Sequence, residues 1–289
     1  MIIDCMAENA RNLPSFIASL ESSLDFVYSD GGVTPVASGT STGWRTMPWL
    51  LTTYLENGVA HAETEHGDVL DYGDGCVCCV APGVRHRIDA VQGGVSWWSH
   101  YSFRVAGGLS LTDFIDMPLI LSGQEAARIK LINGELAQVG KRGGDSVALL
   151  LRAKALGFDL ASVLTSCANP RADRIALIES AFRLQPVLRH IEGHMDGDLS
   201  RDTLARLASL SPSRFYVVFH AALGTGPNQY VLRRRMEHAQ QILITTDLSV
   251  SEVGMRCGYD DPFLFSRMFK RLHGLSPLQY RGQVKASFG

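Results

Sequence analysis

SPSRFYVVFHAALGTGPNQY at residues 211–230 is answered fifty positions later by DPFLFSRMFKRLHGLSPLQY at residues 261–280. Phe219, Gly224, Pro227, Gln229 and Tyr230 recur as Phe269, Gly274, Pro277, Gln279 and Tyr280, Phe215 recurs as Phe265, and Met268 matches Val218. Upstream of each copy, Leu199-Ser200, Leu204-Ala205 and Ala208 parallel Leu248-Ser249, Val253-Gly254 and Cys257, with one extra residue in the second turn. So many matches at one offset describe a single supersecondary unit used twice.

Each copy reads as a capped helix, a turn and a second helix. Ser200 and Ser249 are suited to cap the first helix, with Asp202 and Glu252 favourable in its first turn. Small Ala205 and Gly254 allow two helices to approach closely. Ser211-Pro212 and Asp261-Pro262 start the second helix, since proline is tolerated at its first position, and Gly224 and Gly274 suit its end. Phe215/Phe219 and Phe265/Phe269, four apart, share one helix face and are expected in the core. One outward face then remains on each second helix: Ser213, Arg214, Tyr216 and Val217 in the first, Pro262, Phe263, Ser266 and Arg267 in the second. Residues Asn228 to Leu243 contain no breaker and predict one continuous helix carrying Arg233, Arg234 and Arg235, mainly a solvated or structural cluster, which would set the spacing of the two copies.

The rest of the 289-residue chain predicts a second unit. Turn signals at Asp30-Gly31-Gly32, Glu56-Asn57-Gly58, Tyr72-Gly73-Asp74-Gly75, Pro82-Gly83 and Gln92-Gly93-Gly94 divide residues 33–103 into short strands, as in an antiparallel barrel or sandwich. After Gln124 apolar residues recur at helical spacing, first at Ile129, Ile132, Leu136 and Val139. After a break at Gly143-Gly144, Val147, Leu150, Leu151, Lys154, Ala155, Phe158 and Val163 suggest another helix. These stripes are expected to pack on the barrel or on a second subunit. Cys167 to Asp173, with Asn169-Pro170, reads as the linker.

Charge separates the two textures. The net charge is −2, but Phe182 onward holds 14 Lys or Arg against 9 Asp or Glu, leaving 13 and 20 for residues 1–181. A basic end favours a polyanionic partner. No basic leader precedes an apolar run at the N-terminus and no stretch has the roughly 18 apolar residues of a membrane span, so a cytoplasmic protein without membrane contact is expected. The six cysteines are expected as thiols in that compartment. Cys76 and Cys79 have C-x-x-C spacing, yet Cys78 lies between them in an apolar run and no second ligand pair follows, so packing is expected there.

The segment from Leu199 to Arg281 resembles the AraC/XylS family of transcription activators. The match runs through Leu204-Ala205, Ser211 to Phe215, Phe219, Gly224, Pro227, Gln229-Tyr230 and Arg235 through Ala239 to Leu243. It continues through Ser249 to Val253, Gly258-Tyr259, Phe265-Ser266-Arg267, Phe269-Lys270, Gly274 and Ser276-Pro277 to Tyr280-Arg281. Gly254 departs from it, Ala being usual there, at a helix cost on the order of 0.5–1 kcal/mol. The resemblance implies two second helices in adjacent major-groove segments of double-stranded DNA, with Ser213, Tyr216, Val217, Pro262, Phe263, Ser266 and Arg267 facing it. Arg214 is expected on phosphate or on the adjacent fold, Arg267 on guanine or phosphate, and the apolar three on thymine methyls or sugars.

Residues His66 to His86 and Trp97 to Phe103 resemble, less closely, the cupin-type barrel that precedes this region in many relatives. Two closely spaced metal histidines are missing, since His61 and His66 are five apart and would point to opposite faces of a regular strand. No metal or other cofactor is therefore expected. A pocket for an organic effector, a sugar first, would draw on Trp44, Trp98 and Tyr101 for stacking and Arg45, His86 and His100 for hydrogen bonds.

The expectation is an α+β chain in three parts. A cupin-like antiparallel β-barrel with flanking helices over 1–168 senses the effector and dimerises. A linker spans 169–183. An all-α DNA-binding domain over 184–289 carries helix-turn-helix units at about 199–223 and 248–273. The protein would be a transcription regulator, an activator by family, a homodimer through helices between about 124 and 166, and a partner of RNA polymerase. It is not expected to be an enzyme: there is no G-x-S-x-G, P-loop or complete dinucleotide fingerprint. A cupin-type metal enzyme and a non-DNA helical interaction module are the alternatives, separable by metal content and by salt-dependent duplex binding.

Overall fold

The computed structural model describes residues 23–142, 146–171, 173 and 178–286. The chain forms two compact units. One comprises Asp25–Phe103 and Ile115–Pro170; the other comprises Arg104–Phe114, Arg171–Gly289 and the residues before Asp25, as far as these are described. Residues 104–114 thus group with the helical unit rather than with the segment expected to hold the barrel. Asn169–Pro170, read as linker, pairs as a short strand with Ile115–Asp116. The Gly143-Gly144 break and much of 172–177 lie outside the described residues.

The first unit is built from two antiparallel sheets. In one, β1 (Asp25–Val36), β8 (Gly94–Val105), β3 (Leu50–Glu56), β6 (Cys76–Val80) and β9 (Ile120–Ser122) lie side by side; in the other, β2 (Arg45–Thr46), β7 (Arg85–Gln92), β4 (Val59–Thr64) and β5 (Val69–Gly73) do so. Alternation decides the core. Leu51 and Leu55 of β3, Ala60 and Ala62 of β4, Tyr72 of β5 and Cys78 and Val80 of β6 form one buried apolar cluster, with Ile88 and Trp98 packed against it. Successive side chains of a strand point to opposite faces, so the polar neighbours of these residues go elsewhere.

Asp30-Gly31-Gly32 does not turn the chain; β1 runs straight through it. The glycines serve close approach. A Cβ on Gly31 would lie 2.7 Å from the Trp98 carbonyl oxygen, and one on Gly32 would lie 3.2 Å from the Trp98 ring, so β1 can lie against β8 only without side chains there. The other signals hold: Asn57 and Gly75 both adopt positive φ at their turns.

Helices α1 (Gly123–Arg142) and α2 (Val147–Cys167) accompany the first sheet. Ile129, Ile132 and Leu136 of α1 are buried as the spacing predicts. Asn133 is buried too: its side-chain nitrogen donates to the Thr52 and Trp97 carbonyls, and its oxygen accepts from the Thr52 hydroxyl. In α2 the buried face is Leu156, Gly157, Leu160, Ala161 and Leu164. Val147, Leu150, Leu151 and Phe158 of the expected stripe are exposed instead, because α2 turns inward the side that holds Leu156, Leu160 and Leu164 and sets Gly157 against Phe26. A Cβ on Gly157 would meet that ring at 2.1 Å.

The second unit is helical from Ile178 on: α3 (Ile178–Arg183), α4 (Gln185–Gly193), α5 (Arg201–Leu207), α6 (Pro212–Leu223), α7 (Pro227–Thr245), α8 (Val250–Arg256), α9 (Pro262–His273) and α10 (Pro277–Ala286). Leu188, Ile191, Leu204, Phe215, Phe219, Leu243, Val253, Phe265 and Phe269 are fully or almost fully buried. Each such side chain contributes about 1.5–3 kcal/mol by leaving water. Fold class is therefore α+β, antiparallel sheets first and paired helical units last.

Candidate nucleic-acid interface and barrel interior

The first reader consists of α5 and α6. Ser200 accepts from the Thr203 amide and Ser211 from the Arg214 amide, each at 3.4 Å, and Pro212 follows as the first helical residue. The Phe215 and Phe219 rings pack in the core, tilted to each other by 59° at 5.3 Å between centroids. Gly224, at φ 69°, ends α6 in the left-handed conformation, its N–H donating to the His220 carbonyl, a geometry that costs glycine nothing. The second reader, α8 and α9, repeats this with variations. Ser249 and Glu252 cap each other reciprocally, Asp261 accepts from the Phe263 amide at 2.8 Å, and Gly274 closes α9 at φ 75°. Ser209 at φ 54° and Gly258 at φ 75° take the same left-handed step in the two turns, and the extra residue of the second follows as Asp260.

With the phenylalanines buried, the opposite faces of α6 and α9 are left to solvent. Ser213, Arg214, Tyr216 and Val217 are exposed on α6; Phe263 (79% exposed) and Arg267 are exposed on α9, with Pro262 and Ser266 partly so. Tyr216 leans along its helix onto the His220 ring. A helix displayed this way matches the width of the B-DNA major groove.

The spacing of the readers is held by α7 through its arginines. Arg235 donates to the Gly197 carbonyl at 2.7 Å and lies over the Tyr259 ring of the second reader. Arg234 grips Glu192 of α4 with two hydrogen bonds, 2.6 and 2.7 Å, and also pairs with Glu237. Arg281 donates to the Leu243 and Leu248 carbonyls, tying α10 to the end of α7 and the start of the second reader. Two of the three clustered arginines are thus structural, while Arg233 stays largely exposed beside Glu237.

A family profile described as a helix-turn-helix domain matches residues 204–283. A protein described as a probable transcriptional regulator, LumQ of Photobacterium leiognathi, is 29% identical over 209 residues, 70% of this chain and 81% of its own. The arabinose operon regulatory protein of Escherichia coli K12 is 32% identical over 100 residues, 34% of each chain. The C-terminal part of this chain is a helix-turn-helix domain of the AraC type. Like ToxT of Vibrio cholerae, which superposes with a TM-score of 0.52 over 91% of this chain and 98% of its own at 9% identity, this chain has the two-part fold; that likeness is one of fold alone.

Within the β unit, four of the six residues expected to meet an effector converge. Arg45 and His86 face each other across the β2–β7 pair, and the Arg45 Nε–H points to His86 Nε2 at 3.4 Å. His86 Nδ1–H donates to the Val84 carbonyl at 2.9 Å. Burial, and then the Arg45 charge, push the His86 imidazole down to about 4. His100 is held well below its ordinary value by burial, Arg45 and His86 in that order. Trp98 flanks His100 with 5.2 Å between ring centroids. Arg45 itself is only 7% exposed, so the interior carries a cation beside two neutral imidazoles.

Trp44 and Tyr101 are not brought there. Tyr101 neighbours His100 in sequence and so points to the opposite face of β8, where it packs on Phe26 and Phe103 and donates to the Thr52 hydroxyl. Trp44 lies under the Arg85 and Arg87 guanidinium groups, at 5.0 and 5.6 Å, on the outer side of β7. Sequence reading missed Trp49, 5.8 Å from His100, and the Tyr72–Thr53 hydrogen-bonded pair near Arg45. Alternation along β3 from Leu51 would have found Thr53.

His61 pairs with Asp71 at 2.7 Å, away from His86. Among the described residues, no three of His, Cys, Asp and Glu cluster as a metal site, and no helix is long and apolar enough to cross a membrane. Cys76, Cys78, Cys79, Cys167 and Cys257 are free thiols. An offset of three puts Cys76 and Cys79 on opposite faces of β6, and burial pushes the Cys78 thiol up to about 12.

Proposed function

We propose that this chain is an AraC-family regulator, an effector-responsive activator that acts as a cytoplasmic homodimer. The observation that carries the reading is the pair of side-chain-capped, glycine-terminated helices, α6 and α9, each turning a solvent-exposed face outward at a separation held by α7. Residues Ser213, Arg214, Val217, Pro262, Phe263, Ser266 and Arg267 make the base and phosphate contacts, with Tyr216 at the margin. Arg45, His86, Trp98 and His100 receive a small organic effector in the barrel, a sugar being the first class to test: Trp98 offers a face to stack on, and the imidazoles and the guanidinium offer hydrogen bonds. Exposed Val147, Leu150, Leu151 and Phe158 of α2 supply an apolar face for a second subunit. Effector binding biases how the DNA-binding units engage paired half-sites or RNA polymerase.

Two experiments test this. Binding of the full chain to duplex DNA should weaken steeply as salt rises, because phosphate contacts release counterions; salt-independent binding would sink the DNA role and favour a helical interaction module. Thermal-shift screening against sugars should raise the melting point for the true effector, since a ligand bound only by the folded state stabilises it. A metal enzyme, by contrast, would purify with stoichiometric metal.

A further inference from the structure

The two readers share their architecture but not their surface chemistry. Aligned on Phe215 and Phe265, the outward face of α6 runs Ser213, Arg214, Val217, His220, Ala221, and that of α9 runs Phe263, Leu264, Arg267, Lys270, Arg271. All ten are exposed. At every one of the five paired positions the character changes. In the first turn, polar Ser213 and cationic Arg214 stand opposite apolar Phe263 and Leu264. Further along, Val217, His220 and Ala221 stand opposite three fixed cations. The caps follow the same division: neutral Ser211 begins α6, whereas the Asp261 carboxylate, engaged on the Phe263 amide, begins α9 with Asp260 just before it.

In a helix docked by its N-terminal end, the first turn meets base edges and the remainder lies closer to the sugar-phosphate walls. Position along the helix therefore assigns each face a role. The distal half of α9 offers three charges to phosphate, and that of α6 offers no fixed charge. The first turn of α9 can touch thymine methyls but donates no side-chain hydrogen bond, whereas Ser213 and Arg214 can donate to bases.

We propose that the readers divide recognition. Helix α9 is the electrostatic anchor, through Arg267, Lys270 and Arg271, and selects for thymine methyls through Phe263. Helix α6 contributes little counterion release and reads polar base edges through Ser213 and Arg214. The two halves of one binding site then differ in sequence, and the salt dependence of binding resides in the second unit. This rests on the DNA-binding reading above.

The test uses the full chain and a randomised 40-bp duplex pool, with affinity followed by fluorescence anisotropy across a salt series. Each phosphate contact contributes about 0.9 to the slope of log affinity against log salt, so the triple variant Arg267→Gln, Lys270→Gln, Arg271→Gln should lose about 2 to 3 of slope and Arg214→Gln at most about 1. Arg267→Lys, Lys270→Arg, Arg271→Lys, which keeps all three charges, should restore the slope. Sequences selected from the pool should change at different positions for Ser213→Ala and for Phe263→Ala. A triple variant whose slope falls no further than that of Arg214→Gln overturns the division while leaving DNA binding intact. Wild-type protein that binds no duplex even at low salt removes the regulator reading and the division with it.

Discussion

Arg267 is exposed on a helix whose other side is pinned by Phe265 and Phe269, where a phosphate or a guanine edge is open to it. If it makes a bidentate guanine contact, Arg267→Ala should weaken binding to a selected duplex by about 1–3 kcal/mol; an unchanged affinity and footprint would remove it from the base-reading set. In the barrel, His86 and His100 supply a pH dependence. Both are neutral in the fold, with His86 at about 4 against an ordinary 6.5, so the unfolded chain binds protons that the folded one does not. Stability is full above pH 6.5 and is lost as pH falls toward 4, by up to about 1.4 kcal/mol per pH unit for each imidazole. Urea titrations at pH 7 and pH 5 should show the lower midpoint at pH 5, and His86→Gln should narrow the difference; a midpoint independent of pH across that window would contradict the burial of both rings.

At the scale of elements, local chemistry and tertiary packing contribute differently. The caps of α5, α6, α8 and α9, the glycine stops and the aromatic pairs were legible in sequence because each is a relation among residues within a few positions of one another. The faces of α2 and β8 were not. Whether α2 buries Leu151 or Leu156 depends on which side finds Phe26, and whether His100 or Tyr101 lines the barrel depends on strand register, which one shift would reverse. Gly157 marks the tightest of these packings. Gly157→Ala should cost about 1–3 kcal/mol in urea unfolding through overpacking, despite the better helix propensity of alanine; a gain in stability would mean that Phe26 moves aside easily.

For the whole molecule, the exposed apolar residues of α2 make the oligomeric state a direct check on the proposed homodimer. Leu151→Glu with Phe158→Glu should shift sedimentation of the full chain to the monomer and leave its circular dichroism unchanged, because both side chains are already in solvent. A wild-type chain that is monomeric at tens of micromolar would put the dimer surface elsewhere.

The amino-acid order by itself determined the two helix-turn-helix units, their caps, their outward faces and the presence of an antiparallel β unit, since these follow from short-range spacing and from the chemistry of proline, glycine and serine at helix ends. Only the tertiary structure decided that Arg45, His86, Trp98 and His100 share an interior while Trp44 and Tyr101 do not, and that Arg235 of α7 bonds to the Gly197 carbonyl ahead of the first reader while lying over Tyr259 of the second. Those outcomes depend on which strands and helices become neighbours, and that is set by long-range burial, which no local window contains.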